Sequence, residues 1–194
     1  MTALRERILD AAVYLTTHHG WASLTMTRLA DRVGVSRQTV YNEVGGKDSL
    51  AQAMVMDELR RFLAEVEAQF DRHPVDPVAA IAGATSAVLT RGATHPLLRA
   101  IVSSDAGAHT DLLPLLTTDV GSVLDASVAL VAGRLQSYPG VNARARAVTA
   151  DAIVRVVLSH LTQPTIDVRR VTADIRWMAG RMLGSATRDD RDVV

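Results

Sequence analysis

Apolar residues recur at intervals of three and four positions along most of this 194-residue chain. That spacing places apolar side chains on one face of an α-helix, and no segment shows the period-2 alternation that a half-buried strand requires. The pattern therefore predicts an all-α protein of about nine helices. The predicted helices cover residues 4–18, 26–33, 37–43, 47–70, 78–91, 95–102, a long segment ending near 136, 143–161 and 168–184, with a separate short turn at 112–116.

The composition excludes several classes of protein. Hydrophobic residues make up 48% of the chain and charged residues 22%, which is globular rather than disordered composition. The absence of cysteine excludes disulfide frameworks, thiol catalysis and cysteine-bound metal centres. No apolar run approaches the roughly 20 residues of a membrane span. The first residues lead directly into a helical pattern, so we expect no signal peptide. We therefore expect a cytoplasmic protein.

The spacing of turn signals changes near residue 46. Before Gly46 the predicted helices are short and closely punctuated, and after Lys47 they are longer and more apolar. The change predicts a small N-terminal domain over residues 1–46 and a larger helical domain over 47–187. The last residues, 188–194, alternate in charge and are expected to form a flexible tail.

The segment between Thr25 and Glu43 has the outline of a helix-turn-helix. Thr25 and Ser36 are each placed to cap a short helix, and Gly34 supplies the positive φ that a sharp turn needs. The second of these helices is polar except at Val40, and most of its side chains can hydrogen-bond to base edges or phosphates. The outline therefore indicates DNA binding, although an ordinary helical hairpin with a solvated polar face has the same pattern.

Local charge favours the DNA-binding interpretation. The whole chain carries 21 basic and 21 acidic residues, so bulk charge cannot attract nucleic acid and a local cluster must do so. Between Thr25 and Lys47 four basic residues face two acidic ones, a net charge of +2. Lys47, the chain's one lysine, lies at a predicted helix N-terminus, where a phosphate would offset the repulsion between its ammonium and the helix dipole.

The predicted DNA-facing residues combine base readers and phosphate ligands. Arg37 and Gln38 are the best candidates for base reading because both can bind a purine edge through two hydrogen bonds. Arg28 and Lys47 are expected on phosphates. The complete predicted set is Thr25, Thr27, Arg28, Ser36, Arg37, Gln38, Thr39, Tyr41, Asn42 and Lys47.

The same residues carry a resemblance to a known family. The stretch TMTRLADRVGVSRQTVY (25–41), followed by GGKDSL (45–50), resembles the DNA-binding segment of the TetR-type transcriptional regulators. The upstream ILDAA (8–12) and Gly20 extend the likeness to roughly residues 7–50. The chain departs at Asn42-Glu43-Val44, where such regulators more often carry an aromatic or His pair before Phe. Because Glu43 places an acid near the DNA, we expect no phosphate contact there.

The resemblance implies that the rest of the chain forms a ligand-binding and dimerisation domain whose last two helices pair across a two-fold axis. Helical spacing supplies candidate residues for that pairing, and small residues at Ala179, Gly180 and Gly184 would permit close approach. An intramolecular core seam is the alternative. The predicted interface residues are Val148, Ala152, Val156, Ser159, His160, Ile175, Met178, Ala179 and Met182.

The middle helices predict an apolar ligand. Their stripes are rich in Leu, Val and Ala, interrupted only by weakly polar Thr85 and Ser127, and suit a cavity of about 300–1,000 Å³ for a fatty-acyl chain, a drug-like compound or another lipid metabolite. Plain core packing is the alternative for each residue. The predicted lining is Ile81, Thr85, Val88, Leu89, Leu97, Ile101, Leu113, Leu116, Val120, Val123, Leu124 and Ser127.

Together these features predict a ligand-responsive repressor that binds a palindromic operator as a homodimer and is released by an apolar effector. We expect no enzyme activity, because Ser103-Ser104-Asp105 lacks a nucleophile elbow and no acid–base pair is evident. We expect no metal or other cofactor, since adjacent His18 and His19 point about 100° apart on a helix. Two alternatives stay open: a helical small-molecule or lipid-binding protein or enzyme with an incidental helix-turn-helix, and a DNA-binding regulator controlled by a protein partner.

Overall fold

The all-α fold class is confirmed. The computed structural model describes residues 2–95, 113–163 and 167–189, except for the side chains of 113–120, 122 and 185–189. These described residues form eight helices and no strand. The helices are α1 (Ala3–His19), α2 (Met26–Val33), α3 (Arg37–Val44), α4 (Lys47–Arg72), α5 (Pro77–Thr94), α6 (Leu113–Leu135), α7 (Ala143–Thr162) and α8 (Val168–Asp189).

Two helix boundaries differ most from the sequence-based expectation. The predicted turn at 112–116 is instead the first turn of α6, where Pro114 is tolerated because first-turn N–H groups have no helical acceptor. Helix α8 continues past Gly184 to Asp189. The predicted short helix at 95–102 lies almost wholly outside the described residues.

The described residues divide into two compact units. The first contains the chain up to Arg60 together with His95 and the start of α6 to Val120. Its core is a cluster to which α1, α2, α3 and the first half of α4 each contribute side chains. The fully buried members are Ile8, Leu9, Ala12, Leu24, Leu29, Val40, Leu50 and Ala51.

The second unit contains Arg61–Thr94 and the chain from Gly121 onwards. Its core takes side chains from the end of α4 and from α5, α6, α7 and α8. Tyr138, just after α6, packs its ring against Phe70 and donates a hydrogen bond to the His73 carbonyl oxygen at 2.7 Å. Burial raises the pKa of Tyr138, so the phenol keeps the proton that this hydrogen bond requires. The predicted domain boundary at residue 46 stays a prediction.

Candidate functional site

The helix-turn-helix is built by local hydrogen bonds. The Thr25 hydroxyl accepts from the Arg28 N–H at 3.2 Å, and the Ser36 hydroxyl accepts from the Thr39 N–H at 3.0 Å, so both helices begin at a side-chain cap. Between them Gly34 adopts the left-handed conformation (φ 77°, ψ 39°), and its N–H donates the last hydrogen bond of α2 to the Ala30 carbonyl oxygen. Backbone and caps therefore supply the local hydrogen bonds of the turn.

Helix α3 presents a polar face whose side chains are already paired. Arg37, Gln38, Tyr41 and Asn42 are exposed, while Val40 is fully buried. Arg37 donates to the Tyr41 hydroxyl at 3.2 Å and lies over its ring, and Gln38 donates to the Asn42 amide oxygen at 3.0 Å. Each pair joins residues four positions apart, one helical turn. These pairs restrict the rotamers of side chains that offer donors and acceptors for base edges.

Two cations flank the loop between α1 and α2. The Arg28 guanidinium donates to the Ser23 carbonyl at 3.0 Å, and Lys47 Nζ lies 3.5 Å from the Ala22 carbonyl and 4.9 Å from the centroid of the buried Trp21 ring. These contacts offset part of the repulsion between the Lys47 ammonium and the α4 dipole. The chain itself therefore supplies part of the compensation that we expected from a DNA phosphate. Both charged groups nevertheless lie beside the same loop, where they are available to a phosphate.

The other predicted DNA-facing residues lie on the same unit and are exposed or half-buried. They are Thr25, Thr27, Ser36 and Thr39.

Two arginines of α1 also contact the helix-turn-helix, and the sequence analysis missed both. Arg5 donates to the Glu43 carbonyl near the end of α3, and Arg7 donates to the Val33 carbonyl at the end of α2 at 2.8 Å. The Glu43 carboxylate accepts from the Thr2 hydroxyl at 3.1 Å. A signal was present for Arg5: a basic side chain in the first turn of a helix opposes the helix dipole and is expected to have a partner elsewhere.

The predicted ligand residues fall into three groups. Ile81, Thr85, Val88 and Leu89 are buried in α5, within the core of the second unit. Val123, Leu124 and Ser127 are half-buried on α6. Both hydroxyls bond within their own helices, Thr85 to the Ile81 carbonyl and Ser127 to the Val123 carbonyl. Outside the described residues lie Leu97, Ile101 and the side chains of Leu113, Leu116 and Val120; the ligand site stays a prediction.

The predicted dimer residues do not share one environment. Ile175 and Ala179 are buried within their own chain, 1% and 0% exposed, so they belong to the core seam that was the alternative and offer no surface to a second copy. Val148 and Ser159 are exposed. The half-buried members are Ala152, Val156, His160, Met178 and Met182.

The exposed face of α8 carries a tryptophan that is not among the predicted interface residues. Trp177 is 64% exposed, with the Arg181 guanidinium 5.5 Å from its ring centroid. Gly180 and Gly184 have no described atom within 4 Å of where a Cβ would lie. A large apolar ring beside two open glycines is a surface suited to another helix, but the dimer itself stays a prediction.

The described residues include neither a metal-ligating cluster nor a membrane-spanning helix. No three His, Asp or Glu side chains among them converge closely enough to hold a metal ion. None of the helices in the described ranges combines the length and apolar character needed to cross a membrane.

Comparisons with known proteins agree with this architecture. Residues 8–54 match the family of bacterial regulatory proteins of the tetR type, and residues 76–181 match the bacterial tetracyclin repressor C-terminal domain. The HTH-type transcriptional regulator AlkX of Mycobacterium tuberculosis is 30% identical over 173 residues, which span 89% of this chain and 81% of that relative.

Solved structures show the same likeness. The TetR family repressor AlkX from Dietzia sp. strain DQ12-45-1b, implicated in biodegradation of n-alkanes, superposes with a TM-score of 0.74 at 26% identity, covering 93% of this chain and 95% of that one. The regulator FadR from Bacillus subtilis in complex with stearoyl-CoA has a TM-score of 0.59 at 15% identity, covering 90% and 96% of the two chains. At that identity the second comparison supports the fold alone.

Proposed function

The chain belongs to the TetR family of bacterial DNA-binding transcriptional regulators, and we propose that it is a repressor that binds a palindromic operator as a homodimer. The observation that carries the proposal is the exposed face of α3, where Arg37 and Gln38 are held in pairs with Tyr41 and Asn42. Regulators of this family are generally not enzymes, and we assign no catalytic residue.

The proposed DNA contacts divide by chemistry. Arg37 and Gln38 read bases, because each can make two hydrogen bonds to a purine edge. Arg28 and Lys47 bind phosphates, and the exposed hydroxyls of Thr25 and Thr27 lie near the α2 N-terminus, where N–H groups favour an anion. In this scheme the phosphate contacts set the position of α3 and the base contacts set the preferred sequence.

The proposed dimer forms through the exposed faces of α7 and α8. Val148 on α7 is 52% exposed and Trp177 on α8 is 64% exposed, so each of the two helices offers a large apolar side chain to a partner. A two-fold dimer would place two α3 helices on successive major grooves, about 34–36 Å apart. This geometry explains why the operator is proposed to be palindromic.

The proposed effector is an apolar small molecule. The second unit has an apolar core in which the Thr85 hydroxyl is bonded within its own helix, so a highly charged ligand would find few partners there. The n-alkane context of the Dietzia regulator supports an acyl or alkyl compound for this chain also. An effector that binds best to a dimer with a different spacing of the α3 helices lowers operator affinity by linkage.

One experiment tests both parts of the proposal. The full chain selects duplexes from a randomised pool, and the recovered duplex is then titrated with palmitic acid, palmitoyl-CoA and hexadecane in separate arms. A recovered palindrome and release by at least one of these compounds support the proposal. Recovery of no sequence would remove the DNA-binding role, while a palindrome that none of them releases would favour control by a protein partner.

A further inference from the structure

The first two turns of α1 contact the ends of both helices of the helix-turn-helix. Arg7 Nη2 donates to the Val33 carbonyl oxygen at 2.8 Å, and Val33 is the last residue of α2. Arg5 Nη1 donates to the Glu43 carbonyl oxygen, one residue before α3 ends. The two arginines are two positions apart in sequence, yet each reaches a different helix.

These contacts form where a helix most needs them. The last four carbonyls of a helix have no intrahelical donor, and the C-terminal end carries the negative part of the dipole. A guanidinium supplies both a donor and a positive charge, and charge-assisted hydrogen bonds are roughly twice as strong as neutral ones. Arg5 and Arg7 therefore stabilise the particular positions at which α2 and α3 end.

Helix α3 is short and buries few side chains. It has eight residues, about 12 Å in length, and buries only the side chains of Val40 and Val44. The Ser36 cap holds its first turn, so the contact at Glu43 is the polar anchor at the opposite end. A small tilt about the Ser36 end would move the far end of α3 most, and with it Tyr41 and Asn42, to which the two base-reading side chains are hydrogen-bonded.

Glu43 belongs to the same junction. Its carboxylate accepts from the Thr2 hydroxyl, which also caps α1 by accepting from the Arg5 N–H at 3.2 Å. The acid that departs from the family pattern is thus tied to the positive end of α1. Backbone and side chain of Glu43 both connect α3 to the first turn of α1.

We propose that Arg5 and Arg7 are positioning residues that set the direction of α3 and thereby the sequence specificity of DNA binding. The inference rests on the proposed function. Neither arginine needs to touch DNA: they act by holding the ends of α2 and α3, so that the paired side chains on the exposed face of α3 meet the base edges in register.

The test compares Arg5→Ala, Arg5→Lys and Arg7→Ala with the wild type on two probes, the duplex recovered from the randomised pool and a scrambled duplex of equal length. Arg72→Ala is the matched control, because it removes an exposed arginine from the second unit. Affinities are measured across a salt series at temperatures where circular dichroism shows each variant to be folded.

We expect Arg5→Ala to lose about tenfold in affinity for the recovered duplex, the effect of one charge-assisted hydrogen bond, with unchanged affinity for the scrambled duplex and an unchanged salt slope. Arg7→Ala should act in the same direction, Arg5→Lys should recover part of the loss, and Arg72→Ala should match the wild type. A salt slope reduced by about 1 and equal weakening on both duplexes would overturn the proposal, because that result identifies a direct phosphate contact.

If Arg5→Ala does not fold, Arg7→Ala decides on the same terms. Arg5→Lys is then judged by discrimination between the two duplexes alone, because it keeps a charge but loses the planar guanidinium. The proposal would also be overturned if every folded Arg5 and Arg7 variant discriminated between the two duplexes as well as the wild type does. A wild-type protein that recovers no duplex contradicts the proposed function instead, so the two failures are distinguishable.

Discussion

Gln38 and Lys47 represent two kinds of DNA contact on one small surface. Gln38 is exposed at the start of α3, where its amide already donates to Asn42, so exchange of this partner for a base edge costs little side-chain entropy. Lys47 instead lies at the start of α4, beside the Trp21 ring, as a point charge without directional preference. The first should determine sequence preference and the second should contribute affinity.

Gln38→Ala is expected to reduce affinity for the recovered duplex by about 1–3 kcal/mol and to relax the preference at one base pair. The reason is that the two hydrogen bonds from the Gln38 amide to one base edge are lost. Fluorescence anisotropy with single-base variants of the duplex measures both effects. Lys47→Ala is the matched comparison: it should weaken all duplexes alike and reduce the salt slope by about 1. If Gln38→Ala left affinity and base preference unchanged, the assignment of α3 as the reading helix would be wrong.

At the scale of elements, the turn between α2 and α3 depends on backbone conformation rather than on space. Gly34 has φ 77°, which L-residues rarely adopt, and no described atom lies within 4 Å of where its Cβ would be. The requirement for glycine here is therefore conformational. Strain at this turn would act directly on the geometry of the helix-turn-helix.

Gly34→Ala is expected to lower the free energy of unfolding by about 1–2 kcal/mol, the cost of a left-handed conformation for a residue with a Cβ. Gly34→Asn should lose less, because Asn tolerates that conformation better. Gly133→Ala, at an exposed position inside α6, is the control and should stabilise by about 0.5–1 kcal/mol. Urea unfolding measures all three, and equal effects at the two glycines would refute the conformational explanation.

At the scale of the whole molecule, the largest exposed aromatic side chain among the described residues, Trp177, lies on the last helix. Buried aromatic and arginine side chains supply most of the binding energy in many protein interfaces. Trp177 has Arg181 over its ring and open glycines at 180 and 184 along the helix. We therefore place it at the centre of the proposed dimer interface.

Trp177→Ala is expected to weaken dimerisation by about 2–4 kcal/mol, the range of a central interface residue. Sedimentation equilibrium at micromolar concentrations measures the dissociation constant. Val75→Ala is the control, since Val75 is 88% exposed in the loop before α5 and lies outside α7 and α8. A wild-type monomer would exclude the proposed dimer, and an unchanged constant in Trp177→Ala would remove Trp177 from its interface.

Local sequence was enough to predict the helical class and the helix-turn-helix. Thr25, Gly34 and Ser36 act on residues within five positions of themselves, so their roles can be read before the chain is folded. The exposed polar face of α3 follows from helical period alone. The family was identified from this same segment, and the matches over residues 8–54 and 76–181 confirm it.

Only the tertiary structure decided which partner covers each apolar stripe. Helical period marked Ile175 and Ala179 as one face of α8, but it could not distinguish a face packed on its own chain from one left for a second copy. The contacts of Arg5 and Arg7 join residues 38 and 26 positions apart, and no local pattern specifies such pairs. Caps and turns depend on neighbours in sequence, whereas burial and long-range hydrogen bonds depend on neighbours in space, and folding alone brings those together.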